Sequence, residues 1–292
     1  MKTGEVVKHI RLSKKLKSKN VYHNILSRPA ISRFENGTSD TTTEKFFKIL
    51  DNLNISLEEF HFIYSNYRRN TSHIFLDEYL PAFYLQDVEK LKELKLIMKR
   101  EYKKTSKINQ LHYLALSELT INYLLNQQPS TDSLNILKNY LLECENWTYY
   151  ELMLFTNSLD FFPNDLIILL YKRTKQKLKE YKLLNRFNNE VFSLITNILV
   201  VFIEKNDIQK STFFYNELKN GLSESKSKVY DKIMLAFFEE LIAIMSSKKY
   251  DNNKIDTIIS IFTDLDMPLK KRQCVLLFET VKQNNMTKKL KI

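Results

Sequence analysis

The stretch Ser27-Arg28-Pro29-Ala30-Ile31-Ser32-Arg33-Phe34-Glu35-Asn36-Gly37 decides the fold. Ser27 precedes Arg28-Pro29, and serine caps helix starts well because its hydroxyl accepts an unpaired backbone N–H. Proline is tolerated in a first helical turn, where its missing N–H needs no partner. Ile31 and Phe34 are three residues apart and face one way, while Arg28, Pro29, Ser32 and Arg33 face away from them. Asn36-Gly37 supplies a left-handed stop. The product is a short helix with an apolar back and a polar, basic front. Such a helix suits the DNA major groove, where arginine bonds guanine edges bidentately and small residues such as Ala30 and Ser32 let the backbone approach.

Working outward, residues 4–17 carry Val6, Val7, Ile10, Leu12 and Leu16 at roughly helical spacing. A short polar helix is expected over Ser18–Ile25. Downstream, a helix begins after Ser39–Thr42 and carries Phe46, Phe47, Ile49, Leu50 and Leu53. A last one, Ser56–Ile63, opens with Ser-Leu-Glu-Glu, a capping box. Residues 1–66 thus read as a five-helix domain. Its first 33 residues hold nine basic side chains against one acid, Glu5, a local positive field that attracts a polyanion. Lys14, Lys15, Lys17 and Lys19 suit phosphate contacts, which give affinity without sequence information. Arg28 is the best candidate base reader; Arg33 suits a phosphate or plain solvent.

Residues 64–74 are polar, and a linker is expected at 67–74. Beyond it the spacing predicts helix pairs: 86–104 with 107–127, 131–143 with 148–159, 163–182 with 185–205, 209–221 with 226–247, and 252–264 with 267–285. Breakers sit where turns are needed, at Pro129, Pro163, Asn206-Asp207, Gly221 and Pro268. Pairs recurring every 30–45 residues match the period of helix-turn-helix solenoids such as tetratricopeptide repeats, with an irregular α-bundle as the alternative. The expectation is an all-α chain: a small helix-turn-helix domain, then a right-handed tetratricopeptide-like repeat domain over 75–292. Only three glycines in 292 residues argues against a β-rich fold with tight hairpins.

Several function classes drop out. Three isolated glycines permit no dinucleotide fingerprint or phosphate loop, and the five histidines form no HExxH pair. Cys144 and Cys274 lie far apart outside any metal spacing, so no metal or cofactor is expected. The chain is therefore not expected to be an enzyme. The apolar stretch Val191–Ile203 is too short for a membrane span and reads as a buried helix, so no membrane partner is expected. A large, cysteine-poor chain with no apolar leader suits the cytoplasm. The net charge of +11 is consistent with a nucleic-acid partner but common in Lys-rich proteins.

The 27–37 run resembles the recognition-helix stretch of the lambda-repressor-like helix-turn-helix family, through Ser27, Ile31, Ser32, Phe34, Glu35 and Gly37. Leu50-Asp-Asn-Leu-Asn-Ile-Ser-Leu-Glu-Glu-Phe60 is similar to the same family's fourth and fifth helices. The resemblance implies an Arg11–Glu35 ion pair bracing the domain. The second helix departs from the pattern: Ser18-Lys-Asn-Val-Tyr-His-Asn-Ile25 lacks the usual Gln and Leu-Ala, and its turn is shortened.

Over its full length the chain resembles the Rgg/GadR/MutR regulators of Gram-positive bacteria. The residues that carry this are 31–37, 53–60, Glu145-Asn-Trp-Thr-Tyr-Tyr-Glu-Leu-Met-Leu-Phe-Thr-Asn-Ser-Leu159, and Asn188-Asn-Glu-Val with Asn197-Ile-Leu and Glu204. The resemblance implies a sequence-specific DNA-binding transcriptional regulator. It also implies a homodimer on double-stranded DNA, controlled by a short signalling peptide held in the C-terminal repeats. Amides and charges hold a peptide's backbone and termini, which makes Arg173, Asn188 and Asn197 the candidates. Asn188 and Asn197 are nine apart, about two and a half turns, and so face opposite ways on an ideal helix. Trp147 with Tyr149-Tyr150, and Met234 and Met245, read as packing. Helices 226–247 and 267–285, with wide apolar faces, are the expected dimer interface. The competing reading is a helical-repeat adaptor whose N-terminal domain does not bind DNA.

Overall fold

The computed structural model describes residues 2–66, 71–180, 185–223 and 229–289, with the side chains of 71–73, 176–180, 185–189, 222–223 and 287–289 excepted. Every regular element among the described residues is a helix. The chain divides into two compact units, Met1–Asp77 and Glu78–Ile292.

The first unit contains α1 (Thr3–Ser13), α2 (Ser18–Tyr22), α3 (Arg28–Glu35), α4 (Thr43–Leu53) and α5 (Leu57–Tyr64). Val6, Val7, Ile10, Val21, Tyr22 and Phe34 join Ile49, Leu50, Leu53 and Phe60 in one buried core. The α5 capping box is present: Glu59 N–H donates to Ser56 Oγ at 3.1 Å, and Ser56 N–H to Glu59 Oε2 at 2.7 Å. Ser27 occupies the N-cap position of α3, but its hydroxyl makes no capping bond. Gly37 stops α3 with φ +67°, the left-handed geometry its sequence position demanded. Gly4 has a different reason to be glycine. A β-carbon there would lie 1.7 Å from Phe34 O, so α1 and α3 touch backbone to backbone at that point.

The unit boundary falls inside α6 (Thr71–Tyr84), a helix that includes Pro81. Of the expected linker, residues 67–70 lie outside the described residues and 71–74 are helical. After α6 come α7 (Val88–Thr105), α8 (Ile108–Leu124), α9 (Thr131–Glu143), α10 (Tyr149–Thr156) and a 3₁₀ turn, Leu159–Phe161. They continue as α11 (Asn164–Glu180), α12 (Asn185–Glu204), α13 (Ile208–Ser223), α14 (Val229–Met245), α15 (Asn252–Asp264) and α16 (Pro268–Lys289). Sequential helices pack on one another, as a helix-pair array requires. The second helices of the pairs also meet: α10 packs on α12, α14 on α16, and α12 reaches past α14 to α16. Contact between helices two pairs apart puts them on the inner side of a tightly curled array.

Turn chemistry explains the shortage of glycine. Asp207 N–H bonds Phe202 O at 3.0 Å and Asn206 N–H bonds Ile203 O at 2.9 Å, a Schellman stop built on asparagine at φ 54°. The same paired bonds recur at Gln86, Asn126, Ser247 and Asp266, each at positive φ. Short polar side chains tolerate this region better than branched ones do. Asp207 then caps the next helix by accepting from Lys210 N–H at 3.0 Å. Gly221 was expected to end a helix but lies inside α13, which runs on to Ser223. With open space around it and no left-handed geometry, it breaks nothing. The expected dimer faces on α14 and α16 are also mostly interior. Phe237, Phe238, Leu241 and Ile244 are buried, as are Leu277, Phe278 and Val281, while Val275 and Leu276 stay exposed.

Candidate DNA-reading face and interior hollow

In the first unit one buried ion pair sets the position of α3. Arg11 Nε donates to Glu35 Oε1 at 2.6 Å and Arg11 Nη2 donates to Glu35 Oε2 at 2.8 Å, a bidentate pair between α1 and α3. Tyr22 Oη, from α2, donates to Glu35 Oε1 at 2.7 Å, and Arg11 Nη1 also holds Leu16 O at 3.0 Å. All three helices thus meet at one carboxylate. Burial pushes the Glu35 pKa up, but hydrogen bonds from Arg11 and Tyr22 outweigh it and hold the group below the usual range. With Phe34 buried and Ile31 packed on the core, the other side of α3 faces solvent. Arg28, Pro29, Ser32 and Arg33 are exposed there and Ala30 is half-buried. The α2–α3 connection turns through Asn24 at φ 58°, and Asn52 Nδ2 ties α4 to it through Val21 O at 2.9 Å.

The basic candidates around this face differ. Lys15, Lys17 and Lys19 are exposed, and Lys15 sits at φ 54° in the turn after α1. Lys14 instead turns its ammonium onto the end of α4, donating to Leu53 O at 2.7 Å and Asn54 O at 3.0 Å. There it satisfies carbonyls the helix leaves unpaired and complements the negative end of its dipole.

In the second unit the curl encloses a hollow. Tyr123 of α8 meets Phe161 edge-to-face at 6.2 Å and Phe83 of α6 at 6.3 Å. Tyr84 of α6 is hydrogen-bonded to the Gln273 side chain of α16, which links the first helix of the unit to the last. Tyr230 of α14 packs on Phe192 of α12 at 6.5 Å, with the Lys270 ammonium 5.7 Å above its ring. Two carboxylates share this space, Asp160 on the 3₁₀ turn and Glu204 at the end of α12. Both side chains are open to solvent yet walled in by protein. Desolvation raises the Asp160 pKa despite Lys205. Desolvation, with repulsion from Asp160, pushes Glu204 up to about 7. Asn197 lies seven residues before Glu204 on α12, about two turns, and so shares its face.

Residues 91–274 match the family described as HTH-type transcriptional regulator Rgg, C-terminal domain, and residues 7–60 match a helix-turn-helix family. The chain belongs to the Rgg family. A Listeria monocytogenes EGD-e protein described as a transcriptional regulator shares the fold at TM-score 0.80 and 22% identity, covering 97% of this chain and 98% of that one. The SHP pheromone receptor Rgg2 of Streptococcus dysgalactiae does so at TM-score 0.72 and 19% identity, covering 98% and 100%. A bacterial peptide pheromone/receptor complex is similar at TM-score 0.66 and 17% identity, covering 96% and 98%. The chain is thus an Rgg-family helix-turn-helix regulator with a helical-repeat C-terminal domain, in a family of transcriptional regulators rather than enzymes. No described helix is long and apolar enough to cross a membrane.

The Rgg fold disperses the three peptide-site candidates. Arg173 is exposed on α11, and its Nη1 donates to Leu142 O near the end of α9. The Asn188 side chain lies outside the described residues. Asn197 alone shares a helix face with the hollow. Trp147, Met234 and Met245 are core residues, Trp147 packing edge-to-face on Phe155 at 5.5 Å. The hollow's own carboxylates and Tyr84 were not singled out from sequence, because no spacing along the chain relates α6, the 3₁₀ turn, α12 and α16. A second polar cluster also went unread. His112 Nδ1 meets Tyr150 Oη at 2.7 Å, and Tyr140 Oη donates to Glu151 Oε1 at 2.5 Å, joining α8, α9 and α10. Burial drops the His112 pKa to about 4, so the ring is neutral and the cluster is a brace rather than a charged site.

Proposed function

We propose that residues 1–66 form the DNA-binding domain and residues 75–292 a peptide-binding and dimerisation domain, and that the chain works in the cytoplasm as a homodimeric transcriptional regulator. The observation that carries the DNA half is the solvent face of α3, held by the Arg11–Glu35–Tyr22 network. Arg28 and Ser32 read bases from it, with Ser27, Pro29 and Ala30 against the groove wall. Arg33, Lys15, Lys17 and Lys19 meet phosphates, and Lys14 serves the same cluster mainly by closing α4. The peptide half is supported by the hollow itself and by similarity to a pheromone receptor and to a pheromone/receptor complex. Asn197 bonds the peptide main chain from within the hollow. Arg173 and Asn188 extend the site toward α11 and the start of α12. Bound peptide shifts the population between two dimer arrangements by favouring one of them. Val275 and Leu276 are the exposed apolar residues of α16 left for pairing.

The test is anisotropy of full-length protein with the DNA upstream of its own gene and with random DNA across a salt series. Expected is tighter binding to the former, with log K falling by ~0.9 per phosphate contact per decade of salt. Absence of salt-dependent binding to either DNA would leave the adaptor reading in its place.

A further inference from the structure

The hollow also indicates the chemical character of its peptide. The chain carries 45 Lys and Arg against 34 Asp and Glu, and its sheltered acids are generally partnered. Glu35 has Arg11, Glu118 has Lys95 at 2.8 Å, and Glu240 has Lys254 at 2.7 Å. Asp160 and Glu204 break that pattern. They stand near one another inside a concave wall and make no ion pair or side-chain hydrogen bond among the described residues. The cation beside them, Lys205, turns its ammonium away to Asn164 Oδ1 at 2.7 Å. Two like charges held together without a counter-ion are costly, and an unspent cost of this kind is relieved by whatever supplies the missing charge.

The carboxylates alone would be only an acidic pair. They lie in a hollow whose walls are tyrosines with exposed faces, Tyr84 at 41%, Tyr123 at 54% and Tyr230 at 38%, drawn from three helices. Aromatic walls accept apolar side chains and attract cations through their ring faces. An aromatic hollow with two uncompensated carboxylates complements one kind of peptide and repels another. We infer that the hollow takes an apolar peptide bearing a cationic group, set between Asp160 and Glu204 with its neighbours against Tyr84 and Tyr123. The cation is either an N-terminal ammonium or a Lys or Arg side chain. This rests on the peptide half of the proposed function and adds the ligand's charge to it.

The test offers full-length protein three synthetic libraries of C-terminally amidated apolar octapeptides, with bound peptides read by mass spectrometry. The first has a free amino terminus, the second is N-acetylated with one lysine, and the third is N-acetylated with one aspartate. Enrichment of the first or the second at least tenfold over the third is expected, and which of the two wins identifies the cation. The isosteric double variant Asp160→Asn with Glu204→Gln should lose that enrichment while melting at or above the wild-type temperature, since it removes a repulsion. Capture of the aspartate library, or a double variant that keeps the wild-type preference, overturns the inference and leaves peptide binding standing. Capture of no library overturns both.

Discussion

Glu35 and Glu204 are both sheltered glutamates, and the protein treats them in opposite ways. Glu35 receives a bidentate arginine and a tyrosine hydroxyl, so its charge is satisfied and its pKa is depressed. Glu204 receives a second carboxylate, and its pKa rises to about 7. A satisfied charge binds elements of the fold to each other. An unsatisfied one is a standing cost to the free protein and becomes useful only when something else arrives. The DNA-binding unit therefore spends its buried charge on rigidity, presenting α3 in a fixed pose, while the repeat unit keeps its charge for a ligand.

The sharpest way to break this contrast is Glu35→Ala. Removing one partner of a buried pair strands the other, and such losses run ~3–5 kcal/mol. Urea unfolding of the first transition should show a loss of that order, with DNA binding lost alongside. Tyr22→Phe removes one hydrogen bond to a charged acceptor and should cost less, ~1.5–3 kcal/mol. A Glu35→Ala variant as stable as wild type would mean that the network braces nothing.

A second comparison lies within the α3 face, between residues that discriminate and residues that only adhere. Arg28→Ala should reduce the preference for the regulator's own site over random DNA by ~1–3 kcal/mol. Lys15→Ala and Lys17→Ala should weaken both DNAs alike and flatten the salt dependence by ~0.9 each. Lys14→Ala should behave differently from its neighbour. Its bonds to Leu53 O and Asn54 O predict a stability loss of ~0.5–1 kcal/mol with little change in salt slope. Equal slopes for Lys14→Ala and Lys15→Ala would show that its capping bonds are exchanged for a phosphate on binding.

These contrasts mark where sequence reading succeeds. The α3 pattern is local: Ser27, Ile31, Phe34 and Gly37 fall within one short window, and helical periodicity relates them directly. The helix pairs were legible for the same reason, and Asn206-Asp207 marked its turn because asparagine takes the left-handed stop and aspartate the next cap. Gly221 misled because glycine permits a stop without imposing one. The start of α6 was missed because its polar entry and Pro81 both argue against a helix that packing nonetheless holds, with Phe75 and Tyr79 buried. The hollow is the opposite of local. Tyr84, Asp160, Glu204 and Gln273 meet only through the curl of the whole array, and single-helix periodicity carries no information about that curl.

The smallest expected effect is the most diagnostic, because it reverses the usual sign of a carboxylate's pH dependence. Glu35, depressed in the folded state, contributes stability above its unfolded pKa that is lost as pH falls through the folded value. Glu204 has a folded pKa of about 7 against a model value of 4.5, so the folded protein binds more protons than the unfolded chain between those two values. Its contribution to stability therefore falls as pH rises from about 4.5 to about 7 and then levels off. The groups facing it are Asp160, Lys205 and Tyr123, and of these only Lys205 opposes the effect. Because the side chain is open to solvent, screening limits the size to about 1 kcal/mol or less. Glu204→Gln should accordingly melt higher than wild type at pH 8 and equally at pH 4.5, with the difference growing between them. Asp160→Asn should shrink that difference by removing the repulsion, and a Glu204→Gln gain that does not depend on pH would show that the carboxylate is not held in the hollow's field.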